Sequence, residues 1–166
     1  MPVTDPSQSS RWRPLRLLLT AVDDDIARIY EDLGISGLKP SWVMELLRLQ
    51  ANGPMTITAL AESVSRTHSA ISQKVSAMQA AGLVRTSPGT DARSKQVSLT
   101  PKARRITSQL AAEWNATEAA ITALEAEIPY PLSQVVSDIQ AALDRRSFRQ
   151  RILEHLYEPL DTDGTP

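Results

Sequence analysis

Between Arg66 and Ser76 the chain reads Arg-Thr-His-Ser-Ala-Ile-Ser-Gln-Lys-Val-Ser. Wound as a helix, this stretch puts Ala70, Ile71, Val75 and Met78 on one side and Thr67, His68, Ser69, Ser72, Gln73 and Ser76 on the other. The second side carries short hydroxyls, an imidazole and an amide, where a solvent-facing helix usually displays long Glu and Lys side chains. Groups of this kind reach base edges and phosphates when a helix lies in the major groove. The Gln73 amide can pair with adenine, and Ser or Thr hydroxyls can serve several partners. Taken alone the face also fits an ordinary polar surface, so the surrounding charge has to decide.

Residues 66–105 contain Arg66, Lys74, Arg85, Arg93, Lys95, Lys102, Arg104 and Arg105 against Asp91 alone, a net of +7. The overall charge is −1, so the rest of the chain carries −8. A solvated face would mix signs, whereas a basic middle between acidic flanks is the electrostatic footprint of a nucleic-acid site. Arg93 and Lys95 lie in the run SPGTDARSK, which is rich in turn formers. On a loop they suit a narrow, electronegative minor groove, and Asp91 is placed to orient Arg93 through a charge-assisted pair.

The elements that must position these groups are also legible. Leu15, Leu18, Leu19, Val22, Ile26, Ile29 and Leu33 recur every three or four residues, which predicts a long first helix ended by Gly34 and Gly37. Pro40 suits the first turn of a second helix, with Val43, Leu46, Leu47 and Leu49 inward and Asn52-Gly53-Pro54 as its stop. Thr58 is expected to cap a short third helix carrying Leu60, Ala61 and Val64. Ser65 or Thr67 is expected to cap the fourth, which ends at Gly82-Leu83. Leu83–Thr86 and Gln96–Leu99 predict a β-hairpin, and Thr100-Pro101 opens a long helix with Ala103, Ile106, Leu110, Trp114, Ile121 and Leu124 on one face. After Pro129 and Pro131 comes a last helical stretch, which is allowed to run through Phe148, Ile152, Leu153 and Leu156.

The stretch MTITALAESVSRTHSAISQKVSAMQAAGLVRTSPGTDARSKQVSLTPKA resembles the MarR family of winged helix-turn-helix regulators. The order is a helix with L-A-E, a polar helix, G-L-V, a D-x-R wing, then V-S-L-T before a long helix. The resemblance implies a mainly α fold with a small β-hairpin wing, namely a winged helix-turn-helix with N- and C-terminal dimerisation helices. On this chain that gives one domain over about 11–158. The winged helix-turn-helix covers about 40–100 and the dimerisation helices about 14–33 and 101–157, between tails at 1–10 and 159–166.

The resemblance further implies a homodimer on double-stranded DNA with a palindromic operator, its half-sites about one helical turn apart, ~34 Å. Thr67, His68, Ser69, Ser72 and Gln73 would then read bases, Arg66 and Lys74 would approach phosphates, and Asp91, Arg93 and Lys95 would belong to the wing. Leu15, Leu18, Leu19, Leu110 and Leu143 would contribute to the dimer contact. The family commonly binds a small aromatic or anionic effector, for which Leu18, Trp42, Met44 and Trp114 are the candidate lining, and repression released by such a ligand is its commoner behaviour. Ala103 stands where many relatives have glycine, and the IPYP break with the segment from Arg145 to Tyr157 departs from the simplest family pattern.

Other function classes fare poorly. The absence of cysteine removes disulfides, thiolate metal sites and thiol redox switching. His68 and His155 are too few for a zinc site, and consecutive helical residues such as Asp23-Asp24-Asp25 point about 100° apart, so no metal or cofactor is expected. No Gly-rich phosphate loop or nucleophile elbow points to an enzyme. The apolar core of RWRPLRLLLTAVDDD spans only Leu17 to Val22, so it predicts an amphipathic helix rather than a signal peptide or a membrane span. A cytoplasmic location is the expectation. The alternative reading is a winged-helix module that binds another protein, which would call for an apolar recognition face with scattered charge.

Overall fold

The computed structural model describes residues 5–89 and 95–157. Its elements run in chain order as α1 (Arg13–Asp32), α2 (Val43–Asn52), β1 (Met55–Thr56), α3 (Ile57–Ser63), α4 (His68–Ala80), β2 (Val84–Pro88), β3 (Lys95–Leu99), α5 (Pro101–Ala126), α6 (Leu132–Arg145) and α7 (Phe148–Tyr157). They fall into two compact units, residues 1–114 and 115–166. Of the expected tails, residues 1–4 and 159–166 lie outside the described residues. Pro6–Ser9 forms a single 3₁₀ turn that Asp5 caps by accepting from Ser7 N at 2.9 Å. No helix among the described residues is long and apolar enough to cross a membrane.

The first unit closes around one apolar core. Val43, Leu46 and Leu49 of α2 enter it one turn apart, with Leu60 and Ala61 from α3 and Ile71, Val75 and Met78 from α4. The wing seals it with Leu83, Val84, Val97 and Leu99. Pro40 starts a 3₁₀ turn (Pro40–Trp42) rather than the α-helix itself, and that turn buries Trp42. Leu110, expected at the dimer contact, is instead fully buried in this core together with Ala103 two turns earlier. The α5 face that carries them is buried within the chain at Ala103 and Leu110, while Ile121 and Leu124 further along it are exposed. Tyr30 connects α1 to α5, its buried Oη donating to Glu113 Oε2 at 2.7 Å. Burial, reinforced by that carboxylate, holds the phenol protonated well above its ordinary range.

Local chemistry sets the boundaries of the helix-turn-helix. Thr56, not Thr58, caps α3 by accepting from Ala59 N at 3.1 Å. Thr58 sits two residues too late, inside the helix. Thr67 caps α4 by accepting from Ala70 N at 3.2 Å. Between the two helices Ser65 adopts φ 51°, the left-handed conformation usually left to glycine. The turn closes through Arg66 N to Ala61 O (2.9 Å) and Ser65 N to Glu62 O (3.1 Å). Gly82 does the same for the end of α4 at φ 71°, with Leu83 N donating to Met78 O at 2.9 Å.

The wing is a three-stranded antiparallel sheet in the order β1-β3-β2, so the expected hairpin gains a two-residue strand from Met55 and Thr56. Thr86 faces Val97, and Val84 faces Leu99. Thr100 fixes this sheet to the end of α4, its Oγ1 donating to Gly82 O at 2.7 Å and accepting from Ala103 N at 3.2 Å.

Residues 115–157 contain no buried residue. Here α6 and α7 are separate helices, because Ser147 and Gln150 form a reciprocal cap: Ser147 N donates to Gln150 Oε1 at 2.9 Å and Gln150 N to Ser147 Oγ at 3.3 Å.

Candidate nucleic-acid interface

The apolar stripe of α4 faces the core, so its opposite side is presented outward. Arg66, Thr67, His68, Ser69, Gln73 and Ser76 are exposed and Ser72 is half-buried. No acidic residue occurs between Glu62 and Asp91, so no carboxylate from this stretch competes for the cations or repels a polyanion. Thr67 has a structural duty as well, since its hydroxyl oxygen caps the helix while its proton remains available to a phosphate or base. Ser76 Oγ donates back to Ser72 O at 3.0 Å within the helix.

Lys74 is placed differently from the expectation that it approaches phosphates. Its ammonium donates to Ser41 O at 2.6 Å and to Glu45 Oε1 at 2.7 Å, with only 28% of its side chain exposed. Position 74 follows Ile71 by three residues, so it leans toward the buried side, where the α2 carboxylate waits. Glu45 was missed from the sequence. Only its spacing one turn before Leu49 placed it on the inward face, and a Glu among leucines reads as the polar edge of an amphipathic helix.

On the wing, Lys95 at the start of β3 is exposed, and Arg85 on β2 donates from Nε to Ser98 Oγ at 3.2 Å. Asp91 and Arg93 lie outside the described residues. Arg104 and Arg105 are exposed on the first turn of α5, and Lys102 Nζ donates to Ala81 O at 3.4 Å, at the negative end of the α4 dipole.

Two of the four candidate effector residues come together. Met44 and Trp114 line an open cavity of about 320 Å³ with Leu47, Arg48 and Ala51. Trp42 does not reach it, being a core residue with Lys39 Nζ 5.4 Å from its ring, and Leu18 is exposed on α1 away from this lining. Arg48, the one cation in the lining, was not anticipated. Leu15, Leu18 and Leu19 are exposed on α1, and Leu143 is half-buried on α6. Asp23, Asp24 and Asp25 are all exposed, Asp25 pairing with Arg28 at 2.6 Å.

Residues 36–94 match the model of the MarR family. No curated protein matches the chain. Among solved structures, the fold is similar to that of the Mycobacterium tuberculosis transcriptional regulator MosR in complex with DNA. That likeness has 22% identity and a TM-score of 0.60, and covers 83% of this chain and 99% of that one. It is also similar to the Staphylococcus aureus MepR–DNA complex, at 15% identity and a TM-score of 0.61 over 82% of this chain and 97% of that one. A probable transcriptional regulator from Pseudomonas aeruginosa is 25% identical, with a TM-score of 0.51 over 78% and 96% of the respective chains. The family model thus matches the very segment that builds α3, α4 and the first strand of the wing, and in its winged-helix lobe this chain is similar to the MarR family of transcriptional regulators.

Proposed function

We propose that the protein is a sequence-specific regulator that binds a palindromic operator as a homodimer, represses transcription and is released by a small ligand. The observation that carries the DNA reading is α4. It is anchored on one side by Ile71, Val75 and Met78, and on the other it offers hydroxyl, imidazole and amide groups in a stretch with no acidic residue between Glu62 and Asp91. In this reading Ser69, Ser72 and Gln73, with His68 and Thr67, face base edges. Arg66 contacts phosphate, and the wing residues Asp91, Arg93 and Lys95 address the adjacent minor groove.

The dimer is supported by apolar area that the single chain leaves uncovered. Leu17, Leu18 and Leu19 on α1 are each more than half exposed, as are Val136 on α6 and Leu156 on α7. Unpartnered apolar stripes of this extent on two helical regions ask for a second copy. The ligand is supported by the cavity beside Trp114, where the indole offers a stacking surface and the Arg48 guanidinium a partner for an anion. A ligand would release DNA only by preferring one spacing of the two α4 helices over another.

The test is binding of the purified protein to DNA from immediately upstream of its own gene, against random competitor, over a salt series. Binding that survives competitor and falls steeply with salt supports a specific regulator neutralising several phosphates. Absence of binding even at low salt favours a winged-helix module that engages a protein instead.

A further inference from the structure

Among the described residues, a buried carboxylate on α2 and the lysine of α4 that reaches it form the polar link between these two helices, 29 residues apart in the chain. The Glu45 side chain is 2% exposed, and its Oε2 meets no donor among the described residues, so Lys74 is the one cation that the carboxylate has. Lys74 spends two of its three ammonium protons here, one on Glu45 Oε1 and one on Ser41 O at the entry to α2. Among the described residues the other contacts of α4 include its end caps, the Lys102 Nζ bond to Ala81 O, and the apolar contacts of Ile71, Val75 and Met78. Apolar burial is non-directional and tolerates small rotations of a helix about its axis. A charged pair with both partners at hydrogen-bond distance does not, because a small rotation would leave the carboxylate buried and uncompensated.

We infer that Glu45 and Lys74 are positioning residues that set the rotation of α4, and that the Lys74 ammonium serves Glu45 rather than DNA. This rests on α4 being the DNA-reading helix. The side chains turned outward by that rotation, Ser69 and Gln73 first among them, owe their aim to a residue on α2 that touches no base.

Three full-length variants separate this from a phosphate role for Lys74. Lys74→Met keeps the stem and removes the charge, Glu45→Gln removes the charge facing it, and the double variant removes both. Each is first checked for folding by its thermal melt. The DNA probe is a duplex enriched by the parent from a random-sequence library, compared with a scrambled duplex. Lys74→Met is expected to bind the enriched duplex about tenfold more weakly, and the double variant to recover most of that loss, the non-additivity of two coupled groups. The salt slope is expected to stay as in the parent. If Lys74 contacts a phosphate, the slope instead falls by about 0.9 for each lysine removed and the double variant recovers nothing; either result overturns the inference.

A DNA-free readout runs alongside, amide hydrogen exchange across α4. Exchange is expected to rise in Lys74→Met and to return toward the parent in the double variant. Unchanged exchange in Lys74→Met overturns the positioning role whatever the DNA result. A parent that enriches no sequence overturns the DNA reading instead, and the exchange arm still decides whether this pair orients α4.

Discussion

The winged-helix lobe and residues 115–157 are built from similar material and put it to opposite use. In the lobe, Leu46, Leu60, Ile71, Met78 and Val97 are each fully buried. In α6 and α7, Val135, Val136, Ile139, Phe148 and Ile152 follow the same three-and-four spacing, yet none is buried and Val136 and Phe148 are 55% and 57% exposed. Apolar periodicity says that a face will be covered, not by what. In the lobe the covering comes from the same chain, through short loops that bring α2, α3, α4 and the sheet onto one another. In 115–157 the described residues supply no second layer, and the faces stay exposed.

The sharpest way to break this contrast is to truncate one residue from each side of it. Leu110→Ala opens a cavity in the lobe core and is expected to cost about 2–5 kcal/mol of unfolding free energy, read as a fall in the denaturant midpoint. Val136→Ala is expected to leave that midpoint within about 0.5 kcal/mol when measured at a concentration where the parent is monomeric. Comparable losses at the two sites would mean that the exposed stripe is covered within the chain after all.

The converse substitution probes association. Val136→Asp or Leu18→Asp is expected to weaken self-association by about 2 kcal/mol or more, since the carboxylate would be desolvated in the contact, while the melt of the monomer changes little. Sedimentation velocity over a concentration series reads this directly. A dimer as tight as the parent's would remove α1 and α6 from the interface.

How much of this was legible follows from the range of each interaction. The helix-turn-helix, the Thr67 cap and the Gly82 terminus depend on residues within one or two turns, and each could be read from the string. Leu110 could not be assigned, because periodicity alone does not distinguish a face buried in the chain's own core from a face buried by a second copy. The ion pair of Lys74 with Glu45 could not be read for a related reason. A lysine on a polar helix reads as solvent- or phosphate-facing unless its partner is known, and that partner is 29 positions away. Strand β1, two residues long, is too short for any alternation to show. The cap that separates α6 from α7 was within reach, since Ser147-Phe148-Arg149-Gln150 carries the Ser-x-x-Gln signature.

Within the lobe the outward face of α4 should respond in kind rather than in amount. Gln73→Ala is expected to lose preference at one base pair of each half-site by about 1–3 kcal/mol if the amide pairs bidentately, with little change in fold stability. Arg93→Ala should weaken binding across operator sequences more evenly, because a minor-groove cation reads width and potential more than base identity. Competition binding against single-base operator variants distinguishes the two patterns. Parent-like binding by both variants would dissociate α4 and the wing from recognition while leaving the fold intact.

The smallest effect lies in the turn itself, where Ser65 and Gly82 hold the same left-handed backbone at the two ends of the segment that presents α4. A Cβ at Gly82 would meet nothing within 4 Å, so Gly82→Ala tests backbone conformation without a clash. It is expected to cost about 1 kcal/mol. Ser65→Gly removes that same penalty where it is already present, less the greater freedom that glycine gives the unfolded chain. The expected gain is therefore about 0.5 kcal/mol and a slightly higher melting temperature. Opposite signs at the two positions would show that the serine is tolerated against its own conformational preference. A loss at Ser65 would mean that its side chain holds the turn through a contact that outweighs the strain.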